Sequence, residues 1–343
     1  MPIRLVLLAL MPLVALPACT ADARYQRITN RVDAPGAQLA VLAPDGERWF
    51  GAGGDAAEGE PMTTDHQLLI GSNTKVWTAA LTLQLVDEGS LSLDDPASTW
   101  VGDLDGAITV RDLLQHTSGL GEYFEHDDMI GHTDQAWTPE ELIALGSDVR
   151  ADGPGASVYA NTNYIVLGRI IEGVEQRAYP DVLKGRLLDP LELDDSGFIV
   201  DPDSMPATLA LGDGGALGGV TPEHPSVGWA AGAGYATADD LATFYQALFA
   251  GELYSDDVLA AQLDDVPADL GFDDDSLTTG YGLGLMTVGI GDQHVTGHLG
   301  SVTGFNALAA RDDETGALAV VLTNSTAVVS VRPTLKALRA AGR

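Results

Sequence analysis

Lysine and cysteine are nearly missing from this chain. Three lysines (Lys75, Lys184 and Lys336) and one cysteine, Cys19, serve all 343 residues. A single thiol cannot close an internal disulfide, and no thiol chemistry follows from it. Positive charge is scarce too: 17 Lys and Arg stand against 50 Asp and Glu, a formal charge of 17 − 50 = −33. A field of that sign repels nucleic acid and anionic lipid, so a nucleic-acid partner is not expected. Beyond the N-terminus no apolar run is long enough to span a membrane. What is present suits a folded, water-soluble chain: 45% hydrophobic and 20% charged residues, with length for one large domain or two ordinary ones.

The first residues, MPIRLVLLALMPLVALPACTADA, pair one basic residue, Arg4, with an apolar stretch and small residues before Cys19. This reads as a secretory leader over residues 1–18. LPAC, with Leu16, Ala18 and Cys19, resembles a bacterial lipoprotein signal, although Pro17 stands where a small or aliphatic residue is usual. An ordinary leader with an incidental cysteine is the alternative. The expectation is an exported protein, held at the periplasmic or outer face of a cell envelope by a lipid on Cys19. Residues 19–34 would then be the tether.

Strand signals gather at the two ends of the chain. QLAVL (38–42) and ERWFG (47–51) flank an Ala-Pro-Asp-Gly turn, and NALAA (306–310) and ALAVVLTN (317–324) flank DDETG, so each pair predicts a hairpin. QLLIG (67–71) predicts a short buried strand. Between them lie helix signals. Thr138-Pro139-Glu140-Glu141 is a capping box with proline at the first helical position, Thr237 opens LATFYQALFAGEL, and NYIVLGRIIEGV (163–174) has helical spacing. A last helix is expected over 333–339. The pattern predicts one sheet built from both termini, with a helical lobe inserted.

Three short segments carry the chemistry. In IGSNTKVWTAALTLQLVDEG, Ser72 is followed three residues later by Lys75; Val76, Ala79, Ala80, Leu83 and Val86 then mark one helical face before Gly89. That spacing puts the hydroxyl and the amine on the same side of a helix. Packed in a cleft, the amine loses hydration, its pKa falls and it can take the serine proton, while first-turn N–H groups face a developing oxyanion. A capped helix with a solvated lysine would have the same sequence. Tyr159-Ala160-Asn161 precedes the third helix candidate: a phenol beside the amine can relay a proton, and the amide can hold a substrate carbonyl. His298-Leu299-Gly300 opens a strand near the C-terminus. There His298 could offer a hydrogen bond or partial positive charge, Gly300 could let a substrate backbone approach, and the N–H of Ser301 could be a second oxyanion donor.

In this order the three segments resemble the serine β-lactamase and penicillin-recognising hydrolase superfamily, in the branch of class C β-lactamases, D-alanyl-D-alanine carboxypeptidases and related esterases. LLQHTSGL (113–120), GWAAGAGYATADDLATFYQAL (228–248) and YGLGL (281–285) fit the same resemblance, which runs from about residue 35 to 325. It implies a β-lactamase/transpeptidase-like fold of α/β and all-α lobes over 35–343. The α/β lobe would take about 35–95 and 270–343, and the helical lobe about 96–269. It implies Ser72 as the acylated nucleophile, with Lys75 and Tyr159 sharing the acid–base work and the choice of acylation base open. Asn161, His298 and Gly300 would bind substrate, and the N–H groups of Ser72 and Ser301 would form the oxyanion hole. His116 reads as a structural residue beside the site. No metal or organic cofactor is implied.

The third box departs from the K-T-G of class C β-lactamases, since Leu299 has no hydroxyl for a substrate carboxylate. Losing such a donor forfeits about 1.5–3 kcal/mol. If Leu299 faces the cleft, neutral esters or amides are favoured over β-lactams; strand alternation could instead turn it away. The expected function is a serine hydrolase acting on a small molecule or a peptide, a peptidoglycan stem peptide among them, of carboxypeptidase-like or esterase-like type. A β-lactamase and a non-catalytic cell-wall peptide-binding protein are the alternatives. EHDDMIGH (125–132) reads as a solvated loop rather than a metal cluster, and Asp273–Asp275 as solvated surface.

Overall fold

A computed structural model describes residues 21–149, 155, 157–199, 201–212, 223–269, 277–290, 293–326 and 331–342. The leader, Cys19 and Asp273–Asp275 lie outside the described residues.

Both chain ends enter one sheet. Among the described residues it has ten strands, in the spatial order Glu60–Pro61, Arg48–Ala57, Gly36–Leu42, Leu318–Thr323, Phe305–Asp312, Gln293–Val302, Met286–Ile290, Leu277–Tyr281, Val266–Asp269 and Ser157–Val158. Only the last pair runs parallel. The two predicted hairpins meet where Leu39 sits opposite Val321 and Ala40 opposite Val320. Every residue of Gly36–Leu42 and Leu318–Thr323 is buried, because the sheet is covered on both sides. Side chains alternate between the faces. Leu39, Val41, Ala319 and Val321 point to an outer layer, where the helices Ala21–Thr29 and Val331–Ala341 pack. Ala40, Leu42, Val320 and Leu322 point to the larger inner core. The tether expected over 19–34 is thereby corrected: from Ala21 on the stretch is part of the folded domain, because Tyr25 and Thr29 are buried against it.

The inner core is built around the helix Thr74–Asp87. Its predicted apolar face understates its position, since every residue from Thr74 to Leu83, and Leu85 as well, is buried. The helix packs against the helices Thr162–Glu175, Pro225–Gly232 and Asp256–Leu263, and its Trp77 meets Phe244 of a further helix, so there is no solvent side to be polar. Truncating a residue such as Leu81 there would cost about 2–5 kcal/mol. Gly89, at φ 72, lets the chain turn out of it. Helix Pro139–Asp148 begins with the expected capping box, Thr138 with Glu141. Helix Ala238–Phe249, capped by Thr237, packs on the sheet against Gly36–Leu42 and Leu318–Thr323.

QLLIG differs from its expectation. Only Leu68–Leu69 is extended, and it joins Gly234–Ala236 and Gly197–Phe198 in a separate three-stranded sheet. Ile70 donates to Gly234, and the chain then winds at once into the single turn Gly71–Asn73 ahead of the helix. That turn is where Ser72 sits.

Candidate active site

The residues flanking Ser72 in sequence hold its turn in place. Thr74 Oγ1 donates to the Gly71 carbonyl at 2.7 Å and accepts from Gly234 N at 2.9 Å. Asn73 is fully buried, and its Oδ1 accepts from the Tyr245 hydroxyl at 2.9 Å. Ser72 is thereby presented, half-buried, at the start of the central helix.

One helical turn on, Lys75 is completely buried. Its Nζ donates to Ser72 Oγ at 3.0 Å, to Asn161 Oδ1 at 2.5 Å and to the Ala231 carbonyl at 2.8 Å, which uses all three of its N–H bonds. The carbonyl is available because the helix Pro225–Gly232 breaks at Trp229 (φ 30, ψ −132). The break also turns the Ala230 carbonyl to the Thr78 hydroxyl at 2.7 Å. Burial strips the ammonium of water and lowers the Lys75 pKa to about 7, with the charge of Glu122 pulling the other way. At neutral pH the amine is therefore poised between its two protonation states.

Tyr159-Ala160-Asn161 arrives as expected, in the loop ahead of the helix Thr162–Glu175, which Asn161 caps. Lys75 Nζ lies 5.0 Å from the Tyr159 ring centre. Burial pushes the Tyr159 phenol up, against the nearby Ser72 side chain, which draws its pKa down, so it carries its proton at neutral pH. Asn161 is committed at both ends of its amide. Its Oδ1 accepts from Lys75 Nζ, and its Nδ2 donates to Glu122 Oε2 at 2.9 Å, leaving one N–H for a substrate.

Glu122 went unrecognised in the sequence. It accepts from the Asn161 backbone N–H at 2.7 Å as well as from the amide, and burial raises its pKa against those hydrogen bonds and the charge of Lys75. It is one acid among 50 in the chain, and no motif marks it. Only its burial beside the lysine sets it apart.

The third segment is brought to the same place with different roles. His298 is buried, and both ring nitrogens are engaged within the protein: Nδ1 with the Leu299 carbonyl at 2.6 Å and Nε2 with the Tyr281 hydroxyl at 2.8 Å. A carbonyl can only accept, so Nδ1 carries the hydrogen and Nε2 accepts from Tyr281. Burial, reinforced by the charge of Lys75, lowers the His298 pKa to about 3. The expected positive charge near neutral pH is thus corrected: the ring is neutral and has no hydrogen bond to spare.

Gly300 is also corrected. A Cβ there would lie 2.0 Å from the Ile70 carbonyl and 3.0 Å from Ser72 N, so the glycine admits this chain's own serine turn rather than a substrate backbone. Gly71, at φ 50, has the same constraint from the other side: its Cβ would fall 2.8 Å from Ser301 N. The two-residue turn after Val302 makes Val302–Phe305 a hydrogen-bonded pair, so Ser301, one residue back, turns its N–H to the open strand edge. That edge is open because the neighbouring strand pairs no further than Gly297. The N–H groups of Ser72 and Ser301 therefore flank one another at the mouth of the site.

Leu299 points the other way. It is paired with Leu308, which packs in the outer layer, while His298 and Gly300 face Tyr159 and Ser72. The missing hydroxyl is absent from the outer layer, not from the cleft. His116 is buried at φ 58, stacks 4.5 Å from Tyr159, and through Nδ1 accepts from Ala160 N and Asn163 Nδ2. It braces the Tyr159 loop. In 125–132, His126 lies 3.9 Å from Asp128, and no group fit to hold a metal occurs among the described residues.

Similarity to known proteins follows the same outline. The chain is similar to the D-stereospecific amidohydrolase from Streptomyces sp. (TM-score 0.78, 29% identity, 92% of this chain and 97% of that one). It is also similar to the D-amino acid amidase from Ochrobactrum anthropi SV3 (TM-score 0.82, 27% identity, 93% of this chain and 97% of that one). Penicillin-binding protein 4 of Amycolatopsis lactamdurans is 33% identical over 217 residues, covering 60% of this chain and 55% of its own length. The chain spans 60% or less of the curated relatives it matches first. The Beta-lactamase family profile matches residues 24–342, which takes in the sheet, the serine turn and all three segments, and so this chain belongs to the Beta-lactamase family, within the serine β-lactamase and penicillin-recognising superfamily.

Proposed function

We propose that the protein is a serine hydrolase that opens an amide or ester bond through an acyl-Ser72 intermediate, with amides and peptides of D-amino acids as its substrate class. The contact of Lys75 Nζ with Ser72 Oγ at 3.0 Å, on an amine whose pKa is lowered to about 7, carries this reading. As Oγ attacks the carbonyl, its proton passes to Lys75, and the N–H groups of Ser72 and Ser301 take the oxyanion. Tyr159, still protonated, gives its proton to the leaving amine or alkoxide and regains one from Lys75. Water then releases the acyl group by the reverse relay. Between the two candidate bases, the opposite directions of their pKa shifts favour Lys75 for acylation and Tyr159 as the acid.

The substrate class is supported by the two similar solved structures, one titled a D-stereospecific amidohydrolase and the other a D-amino acid amidase. The case for neutral esters rested on Leu299 facing the cleft, and the outward turn of that residue withdraws it. Intact-mass analysis with four compounds tests the proposal: a D-amino acid amide, a D-alanyl-D-alanine peptide, an aryl ester and a penicillin. Turnover of the amide or the peptide is expected. Turnover of the ester alone moves the protein to an esterase. Silence with all four, and with a fluorophosphonate probe, returns it to a binding protein.

A further inference from the structure

We infer that the face formed by the first and last helices is a docking surface for anionic lipid headgroups. The helices Ala21–Thr29 and Val331–Ala341 pack together on the outer layer of the sheet. With the turn after the first, they carry six of the chain's 17 basic side chains: Arg24, Arg27, Arg31, Arg332, Lys336 and Arg339. Within 21–31 and 331–342 the only acid is Asp22, so these two segments sum to 6 − 1 = +5 on a chain whose total is −33, with Asp45 and Glu47 the acids near Tyr25 at their border. The spacing explains the segregation. In each segment the basic residues recur at intervals of three and four, Arg31 falling in the turn after the first helix, while Tyr25 and Thr29, and Thr334, Ala337 and Leu338, turn into the protein.

All six basic side chains are exposed, and none is ion-paired among the described residues. In so acidic a chain, leaving them without carboxylate partners is itself a selection of partner. Arg24, Arg27, Arg31 and Lys336 line one pocket of about 230 Å³, with Ile28 and Pro333 as its apolar wall. Guanidinium groups gathered over an apolar wall fit a phosphate ester with a hydrocarbon body, which is a lipid headgroup. The net charge of the chain predicts repulsion from such a surface; the local charge reverses that prediction within a Debye length of about 10 Å.

The position of Cys19 argues for a bilayer over a soluble anion. It precedes the first helix by two residues, a connection that reaches at most about 7 Å. An acyl group at Cys19 would hold this face, and no other, against the lipid. Ser72 belongs to the opposite, inner side of the sheet, so the cleft would stay open to solvent.

Sedimentation with vesicles tests the face apart from the anchor. The chain from residue 19 onward contains every described element; with Cys19→Ser it carries no acyl group. It is expected to bind vesicles of phosphatidylcholine with phosphatidylglycerol at least tenfold more tightly than phosphatidylcholine alone, and to lose that preference in about 0.5 M salt. Arg24→Glu, Arg27→Glu and Lys336→Glu together should weaken binding at least tenfold, with the circular dichroism spectrum and the labelling of Ser72 unchanged. Equal binding to both vesicles, full binding by the triple variant, or binding to inorganic polyphosphate without binding to vesicles would each overturn the assignment. The mass of Cys19 in the exported protein separately tests the anchor.

Discussion

The start of the central helix, which carries Lys75, and the strand carrying His298 both meet the Ser72 turn, and each buries a titratable nitrogen almost completely. Burial lowers both pKa values, yet the outcomes differ: about 7 for the lysine and about 3 for the histidine. The lysine starts from a higher value and has the Glu122 carboxylate to offset its desolvation. The histidine meets the repulsion of Lys75, against which the hydrogen bond to the Leu299 carbonyl pulls weakly, and the Tyr281 hydroxyl at Nε2 suits the neutral ring. Two groups that look alike as buried bases therefore divide into one that handles a proton and one that holds geometry. Partners, more than depth, make the difference.

The largest effects should fall on the lysine side. Ser72→Ala is expected to lower kcat by roughly 10⁴–10⁶ and to abolish labelling by a fluorophosphonate; retained turnover would refute the assignment. Lys75→Ala should slow acylation by roughly 10²–10⁴ in single-turnover kinetics, the usual share of a general base. His298→Phe sharpens the contrast. It leaves the Tyr281 hydroxyl unpaired, so stability should drop by about 1–3 kcal/mol in denaturant titration, while kcat/KM changes by less than about tenfold. A loss as large as that of Lys75→Ala would erase the distinction drawn between the two sides.

The pH profile separates them further. Acylation needs neutral Lys75, so kcat/KM should rise tenfold per pH unit below about 7 and level off above it. Because the Glu122 charge raises the Lys75 pKa, Glu122→Gln should move that limb to lower pH, whereas His298→Phe should not remove it. A limb that stays in place in Glu122→Gln would mean that the acid acts only through the position of Asn161. The smallest effect belongs to Leu299→Thr: a hydroxyl on the outer layer should leave kcat/KM for anionic and neutral substrates within about twofold. A gain for the anionic ones would put that side chain in the cleft after all.

Much of this was legible beforehand, for reasons visible in particular residues. Strands flanking tight turns, the capping box at Thr138 and the Ser72–Lys75 interval are local patterns, and local patterns survive folding. QLLIG was half legible: a short strand is there, Leu68–Leu69, but a five-residue apolar run does not say where it ends or which sheet it joins. Glu122 was invisible because a carboxylate acquires its role from burial, which no short stretch of sequence records. Gly300 read as a gap for substrate; it is a gap for Ile70 and Ser72, 230 and 228 residues away along the chain.

By itself the sequence determined the chemical parts and their order: a serine with a lysine one helical turn on, a tyrosine and asparagine ahead of a helix, and a strand with glycine at its edge. These follow from spacing, because backbone geometry converts spacing into direction over a few residues. The tertiary structure alone decided the protonation states of Lys75 and His298, the outward turn of Leu299, and the gathering of arginines from both chain ends onto one face. Each of these depends on which distant groups exclude water from a side chain or offer it a charge.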